Sequence, residues 1–181
     1  MKVVALAYNY KGYNRHPIFF MKAGIIGDGD IIQVPRTETW AEVELGFMVD
    51  YDLRVGPYLI ANDVTTAYTN FDVHLAQSKC RDTYCPIKAI YDVPDPNDLH
   101  LRTIINGEVV HEGNTDDRIF DDEEALCFIT QYMTLEPGDI VLTGTPPHNR
   151  PLIKPGYIVT VEAVGIGKLT NRVEAWKPSS R

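Results

Sequence analysis

The chain has 181 residues, of which 44% are hydrophobic and 23% are charged. This composition is typical of a globular protein, and the length predicts a single domain that covers residues 1–181. Its net charge of -8 excludes the basic stripe that nucleic-acid-binding proteins need, and no apolar run approaches the length of a membrane span. We therefore expect neither nucleic acid nor a membrane as a partner, and the odd number of cysteines, 3, favours a reducing cytoplasm over a disulfide framework.

Short apolar runs separated by glycine and proline predict a mostly β, α+β fold with a few short helices. In chain order, the predicted strands are 2–8, 31–34, 41–49, 58–64, 101–105, 108–112, 139–143 and 157–164. Asn106-Gly107 between two of these runs predicts a hairpin turn. The clearest helix covers residues 122–133, where Asp121 can cap its start and Glu124 completes a capping box.

The predicted strand over residues 41–49 carries two glutamates opposite its apolar face. Its odd-numbered residues are apolar, so Glu42 and Glu44 project together from the other face, about 7 Å apart. On a face open to water such a pair has no special meaning. On the wall of a pocket it is the start of a site for a hard cation.

Asp63, at the end of the next predicted strand, either offers a third carboxylate or only caps that strand. Three carboxylates with several waters match Mg²⁺ or Mn²⁺, and the absence of His or Cys nearby in the sequence disfavours zinc. Lys79, taken by itself, is typical of a surface lysine. Thr145, in a Gly-Thr-Pro turn after a strand, either closes that turn or presents its hydroxyl to an anionic ligand.

Together, these pieces resemble the signature blocks of the fumarylacetoacetate hydrolase superfamily, and they follow in the order of that family over nearly the whole chain. The blocks are Glu42-Val43-Glu44-Leu45, Asn62-Asp63-Val64-Thr65, Ser78-Lys79-Cys80-Arg81-Asp82-Thr83, Asn106-Gly107-Glu108, Gly113-Asn114-Thr115, Pro137-Gly138-Asp139 with Gly144-Thr145-Pro146, and Gly165-Ile166-Gly167-Lys168. The first and the paired proline-glycine blocks are specific in combination, whereas any one alone is weak.

The resemblance implies a mixed β-sheet roll, a homodimer, and Mg²⁺ or Mn²⁺ held by Glu42, Glu44 and Asp63. It points to a short single-domain member, related to acylpyruvases and 2-hydroxyhepta-2,4-diene-1,7-dioate isomerases, that acts on a small oxo-acid. In such enzymes the metal chelates a keto and a carboxylate oxygen and stabilises an enolate. Lys79 would then lie near the developing enolate, and Thr145 would bind the substrate carboxylate.

Two departures from the family pattern concern the residues around the substrate. The family often has a lid histidine and glutamate that activate water, but Tyr13 and His16 stand at those positions. A tyrosine with an ordinary pKa near 10 is a poor base. His16 either supplies the base from the neighbouring position or is an exposed loop residue.

The second departure follows Asp63. The family commonly has an arginine and a glutamine facing the substrate there, and Ala67 and Asn70 occupy those places. Arg81 is a candidate to replace the lost positive charge. The residues that contact the substrate are therefore altered, whereas the metal ligands are kept.

The sequence thus predicts a divalent-metal-dependent enzyme acting on a small 2-oxo or enol carboxylic acid. Decarboxylase, tautomerase or isomerase, and C–C hydrolase remain open, and the missing lid pair favours chemistry without activated water. We expect catalytic roles for Lys79, His16 and Thr145, with substrate contacts also from Arg81 and Tyr13. The alternatives are a metal-binding protein that holds an oxo-acid without catalysis, and a structural β-domain without metal.

Overall fold

The computed structural model describes residues 1–68 and 74–177, so Asn70 lies outside the described residues. The strands are β1 (Val3–Ala7), β2 (Ile18–Lys22), β3 (Ile25–Ile26), β4 (Ile31–Val34), β5 (Thr39–Trp40), β6 (Val43–Val49), β7 (Val55–Asn62), β8 (Thr65–Thr66), β9 (Cys85–Ala89), β10 (His100–Ile105), β11 (Glu108–Asn114), β12 (Ile140–Leu142), β13 (Leu152–Ile153), β14 (Ile158–Ala163) and β15 (Gly167–Ala175). The helices are α1 (Leu75–Lys79) and α2 (Asp122–Thr130). None of the helices in this part of the chain is long and apolar enough to span a bilayer.

The strands form three mixed or antiparallel sheets. A seven-stranded sheet has the order β2-β1-β12-β6-β7-β9-β3, in which β1 runs parallel to β12 and β3 parallel to β9. A five-stranded sheet has the order β11-β10-β14-β15-β4, and a small three-stranded sheet the order β13-β5-β8. The predicted α+β fold, mostly β with mixed sheets and few short helices, is confirmed.

The two larger sheets pack face to face, and the apolar side of β6 lies in the interface between them. Val43 and Leu45 of β6 contact Leu101, Val161 and Leu169 of the five-stranded sheet, and all five side chains are almost completely buried. The predicted apolar face of this strand is therefore confirmed. Its opposite face, which carries Glu44, is turned into the protein and not to water.

Helix α2 covers the far end of the same strand. Leu126 and Ile129 pack with Phe47 in one apolar cluster. The predicted capping box is present, because Asp121 accepts the Glu124 N–H and the Glu124 carboxylate accepts the Asp121 N–H. The helix ends at Thr130, earlier than predicted. The Thr130 hydroxyl donates to carbonyls of the preceding turn, which weakens the last turn of a helix.

The hairpin between β10 and β11 is confirmed. Asn106 and Gly107 have φ values of 52° and 88°, so both lie in the left-handed region, as a type I′ turn requires. Strands β2, β9 and β15 were not among the predicted strands. Strand β2 lacks alternation of apolar and polar residues, β9 contains Pro86, and β15 is rich in polar residues. The hydrophobic periodicity therefore gave no strand signal for these three.

Candidate metal and substrate site

The pairing of β6 with β7 brings the three candidate metal ligands together. In this antiparallel ladder Val43 lies opposite Asn62, so the residues just beyond them, Glu42 and Asp63, also meet. The Asp63 N–H donates to the Glu42 carbonyl at 2.8 Å, and the Glu42 N–H donates to Asn62 Oδ1 at 3.1 Å. Glu44 is two residues along the same strand, so it projects to the same side.

A pocket of about 200 Å³ opens above these carboxylates. It is lined by Leu6, Ala7, Tyr8, Tyr13, Trp40, Glu42, Glu44, Asp63, Lys79, Thr145, His148 and Arg150. We call the four buried charged residues the floor; they are Glu42, Glu44, Asp63 and Lys79. We call the four partly or fully exposed polar residues the rim; they are Tyr8, Tyr13, His148 and Arg150.

The floor fits a hard divalent cation. One carboxylate oxygen from each of Glu42, Glu44 and Asp63 lies within 4.8 Å of the other two. Because Mg²⁺ binds oxygen at about 2.1 Å, ligands on one ion are at most about 4.2 Å apart, and a small contraction brings all three onto a single ion. An all-oxygen donor set is typical of Mg²⁺ or Mn²⁺.

Two lysines partly balance the charge of the floor. Lys79 Nζ donates to Glu42 Oε2 at 2.6 Å and to Asp63 Oδ2 at 2.5 Å. Lys22, with a fully buried side chain, lies 2.5 Å from Asp63 Oδ1 and donates to the Val64 carbonyl at 3.1 Å. If all three carboxylates were ionised, the two ammonium groups would leave one negative charge, which a divalent cation would offset.

Glu42 is held by four donors. Trp40 Nε1 and His148 Nε2 each lie 2.8 Å from Oε1, while the Thr65 hydroxyl donates to Oε2 at 2.9 Å, beside Lys79. Burial alone would raise the pKa of Glu42, but the Lys79 charge and the His148 hydrogen bond hold it well below its usual range. Glu42 is therefore ionised.

Glu44 is far less supported. Its carboxylate accepts a hydrogen bond from the Gly144 N–H at 3.0 Å. Burial and the neighbouring Asp63 charge raise the pKa of Glu44 well above its usual range. Of the two glutamates, Glu44 is thus the one whose ionised form most needs a cation beside it.

A glycine is required at the position that holds Glu44. Gly144 has a φ of 91°, and a Cβ atom there would lie 3.2 Å from the Leu6 carbonyl oxygen and 3.3 Å from Asn9 Cβ. Asn9 fixes the same segment, since its side-chain amide donates to the Thr143 carbonyl at 2.9 Å. This conformation directs the backbone N–H at the carboxylate.

Thr145 and Tyr13 form the side wall of the pocket. Thr145 is 9% exposed, and its hydroxyl has no hydrogen-bond partner among the described residues. Tyr13 places its hydroxyl 3.5 Å from the Thr145 carbonyl and 3.4 Å from the Pro146 carbonyl. Burial, followed by the Glu42 charge, raises the pKa of Tyr13, so this group stays a protonated donor near neutral pH.

The pocket contains six of the eight residues for which the sequence predicted a role. These are Glu42, Glu44, Asp63, Lys79, Thr145 and Tyr13. The structure does not bring the other two there. His16 is exposed in the loop before β2, and Arg81 lines a separate concavity with Thr83 and Trp176.

Sequence reasoning missed Lys22, Trp40, Thr65, His148 and Arg150. Trp40 and Thr65 lie two residues from Glu42 and Asp63, so the period of an extended chain was a usable signal for both. Lys22 ends a strand of aromatic and apolar residues, where a charge is unusual. His148 and Arg150 follow Thr145 in a loop, and no pattern in the sequence directed them to the pocket.

His148 has a defined tautomer. Its Nδ1 accepts the Arg150 N–H at 2.8 Å, so Nε2 carries the proton that it donates to Glu42. Its ring also contacts that of His111, with centroids 5.3 Å apart. Burial is the largest cause that lowers the pKa of His111 to about 4.

Comparison with known proteins agrees with this geometry. Residues 3–174 match the family model described as fumarylacetoacetate (FAA) hydrolase C-terminal. The chain belongs to this family.

Among curated relatives, human mitochondrial oxaloacetate tautomerase FAHD2A is 31% identical, with 95% of this chain and 66% of that protein covered. The 2,4-didehydro-3-deoxy-L-rhamnonate hydrolase of Sphingomonas sp. is 28% identical, over 97% of this chain and 74% of the relative. The solved 5-carboxymethyl-2-hydroxymuconate delta-isomerase of Mycobacterium smegmatis has a TM-score of 0.86 and 30% identity, over 97% and 79% of the two chains. Family members thus include tautomerases, hydrolases and isomerases.

Proposed function

We propose that the chain is a divalent-metal-dependent enzyme that tautomerises or decarboxylates a small 2-oxo or enol carboxylic acid. The observation that carries this proposal is the convergence of Glu42, Glu44 and Asp63 in one pocket with Lys79 and Thr145. Relatives that act as tautomerase, isomerase and hydrolase support enzyme activity. Mg²⁺ or Mn²⁺ held by the three carboxylates would supply Lewis-acid polarisation of the keto oxygen.

The chain's own residues supply binding and charge. The buried Thr145 hydroxyl, which lacks a protein partner among the described residues, is suited to donate to the substrate carboxylate. The Lys79 ammonium lies at the floor, where it stabilises negative charge developing on the substrate oxygen. Burial alone would lower the pKa of Lys79, but the charges of Asp63 and Glu42 outweigh it and raise it, so the ammonium stays charged.

The side chains around the pocket favour reactions without activated water. Hydrolysis needs a base that removes a proton from water, yet Tyr13 remains protonated and His16 is exposed in a loop outside the pocket lining. Tautomerisation moves a proton between the keto oxygen and the neighbouring carbon, and decarboxylation releases CO2 and then protonates that carbon, so neither reaction consumes water. The pocket therefore favours isomerase or lyase chemistry over C–C hydrolysis.

The test uses Glu44→Gln, which removes one carboxylate and preserves its shape. We expect Mg²⁺ and Mn²⁺ binding to the wild type by calorimetry, and ketonisation of enol-oxaloacetate in its presence. The variant should lose metal binding and at least about a hundredfold in turnover, because a metal site is held by its ligands. Glu108→Gln, at an exposed position on β11, is the matched control and should change neither.

Three results would contradict the proposal or reassign it. A wild type that binds neither metal rejects the metal-dependent enzyme. Full turnover by Glu44→Gln rejects the role of the floor. Binding of Mg²⁺ and oxalate without turnover of any acid in a 2-oxo-acid panel identifies the binding-only alternative. The homodimer remains a prediction from the family, which light scattering would test.

A further inference from the structure

Two permanently cationic side chains line the pocket, and they have different surroundings. Lys79 on the floor is bound by Glu42 and Asp63. Arg150 on the rim is exposed, and within residues 1–68 and 74–177 no carboxylate forms an ion pair with it. Its positive charge therefore faces the pocket without an acidic partner from the described chain.

Arg150 is held in place by contacts that leave its charge available. Its guanidinium carbon lies 4.8 Å from the centroid of the Trp40 ring, and its backbone N–H donates to His148 Nδ1 at 2.8 Å. Its φ of 47° lies in the left-handed region, which costs a non-glycine residue free energy and persists where surrounding contacts impose it. When a guanidinium stacks on an aromatic face, its N–H donors lie in its own plane, parallel to the ring, and remain available to both oxygens of a carboxylate.

Trp40 connects this cation to the candidate metal ligands. The face of the Trp40 ring contacts the Arg150 guanidinium, and Trp40 Nε1 donates to Glu42 Oε1 at 2.8 Å. Trp40 thus contacts both the Arg150 guanidinium and a floor carboxylate, so the two groups adjoin one indole ring. A small diacid is suited to reach both, with one end at the floor and the other at the rim. The volume of about 200 Å³ also suits a ligand below drug size, since larger ligands occupy pockets of roughly 300–1,000 Å³.

We infer that Arg150 is a specificity-determining residue that binds the second carboxylate of a short 2-oxo dicarboxylic acid. This inference rests on the proposed function, and it narrows the substrate from oxo-acids in general to diacids. Arg150, and not Arg81, then supplies the positive charge missing at Ala67. Arg81 lines a separate concavity and stacks near Tyr84, with its guanidinium carbon 5.7 Å from that ring.

The experiment compares two acids that differ by one carboxylate, pyruvate and oxaloacetate. With Mg²⁺ present, deuterium exchange at the carbon next to the ketone gives kcat and KM for each acid by NMR. Arg150→Gln should raise KM for oxaloacetate at least about tenfold and change that for pyruvate less than about twofold, because only the diacid reaches the guanidinium. Arg150→Lys should fall between, since a lysine keeps the charge but loses the planar fork.

Arg172→Gln is the matched control, because Arg172 is exposed on β15 outside the pocket lining. It should leave both acids unaffected, and all variants should keep the wild-type unfolding midpoint. Equal effects of Arg150→Gln on both acids, or no effect on either, would show that Arg150 only covers Trp40 and would overturn the inference. A selective loss for oxaloacetate in Arg81→Gln instead would also overturn it. Failure of the proposed function is distinct, because the wild type would then exchange neither acid and bind no Mg²⁺.

Discussion

The floor and the rim of the pocket are built differently. The floor carboxylates belong to two paired strands or the residues beside them, and these side chains are buried. The rim comes from loops, and two of its residues, Tyr8 and Arg150, have φ values of 63° and 47°. Strands hold charges at fixed separations, whereas loops tolerate changes in length and sequence. The floor is therefore suited to set the type of chemistry, and the rim to set which acid is accepted.

The largest effect on folding is expected at the floor. Asp63→Asn removes the carboxylate charge that pairs with the buried Lys22 ammonium and leaves only neutral acceptors beside it, and breaking a buried pair costs about 3–5 kcal/mol. Urea denaturation should show this loss. Asp28→Asn is the control, because its ion pair with Lys88 is exposed and worth less than about 1 kcal/mol. Equal losses in the two variants would mean that the floor charges are not buried in solution.

An intermediate effect is expected at Thr145, where the floor meets the rim. Thr145→Val keeps the shape of the side chain and removes its hydroxyl. Calorimetry in the presence of Mg²⁺ should show that oxalate binds about 10–100-fold more weakly, because that is the affinity lost with one hydrogen bond to a charged group. Thr145→Ser should restore it. Stability should not fall, because the hydroxyl has no partner among the described residues. Unchanged oxalate affinity in the valine variant would remove Thr145 from the proposed binding site.

The smallest effect is expected behind the rim, at His111. Its pKa is lowered from 6.5 to about 4, chiefly by burial, while Glu42 acts in the opposite direction. Between these pH values the unfolded chain binds a proton that the folded chain does not, so the free energy of unfolding decreases as the pH falls. The contribution is about 2 kcal/mol between pH 7.5 and pH 5.

His111→Phe should therefore lose less stability than the wild type between pH 7.5 and pH 5 in urea titrations. The phenyl ring keeps the aromatic contact with His148 and cannot take up a proton. His16→Asn serves as the control, since His16 is exposed, and should follow the wild-type pH dependence. A phenylalanine variant with the wild-type pH dependence would show that His111 does not titrate in this range.

Much of the fold was predictable because the relevant signals are local. The Asp121 cap, the Asn106-Gly107 turn and the alternation along residues 41–49 each depend on neighbours in sequence, and each is confirmed. Strand β9 was not predicted, because a proline within a short apolar run argues against a strand. Pairing on both sides, antiparallel to β7 and parallel to β3, stabilises it despite Pro86.

The site was predictable only where residues recur in a family pattern. Glu42, Glu44, Asp63, Lys79, Thr145 and Tyr13 were all named and all line the pocket. Lys22 and His148 were not named, because each reaches a carboxylate through contacts far apart in sequence, to Asp63 and Glu42 respectively. Such contacts depend on strand order and loop path, which sequence periodicity does not encode.

The Lys79 ammonium between Glu42 and Asp63 also has a consequence for assembly. Its two short hydrogen bonds, of 2.6 and 2.5 Å, offset the repulsion between two carboxylates that would otherwise oppose folding. The lysine thus acts as an internal counterion, and the chain can reach its native structure before a divalent cation arrives. If the floor binds a divalent cation as proposed, metal loading would be a late step, in which the ion shares carboxylate oxygens that a lysine has kept in position.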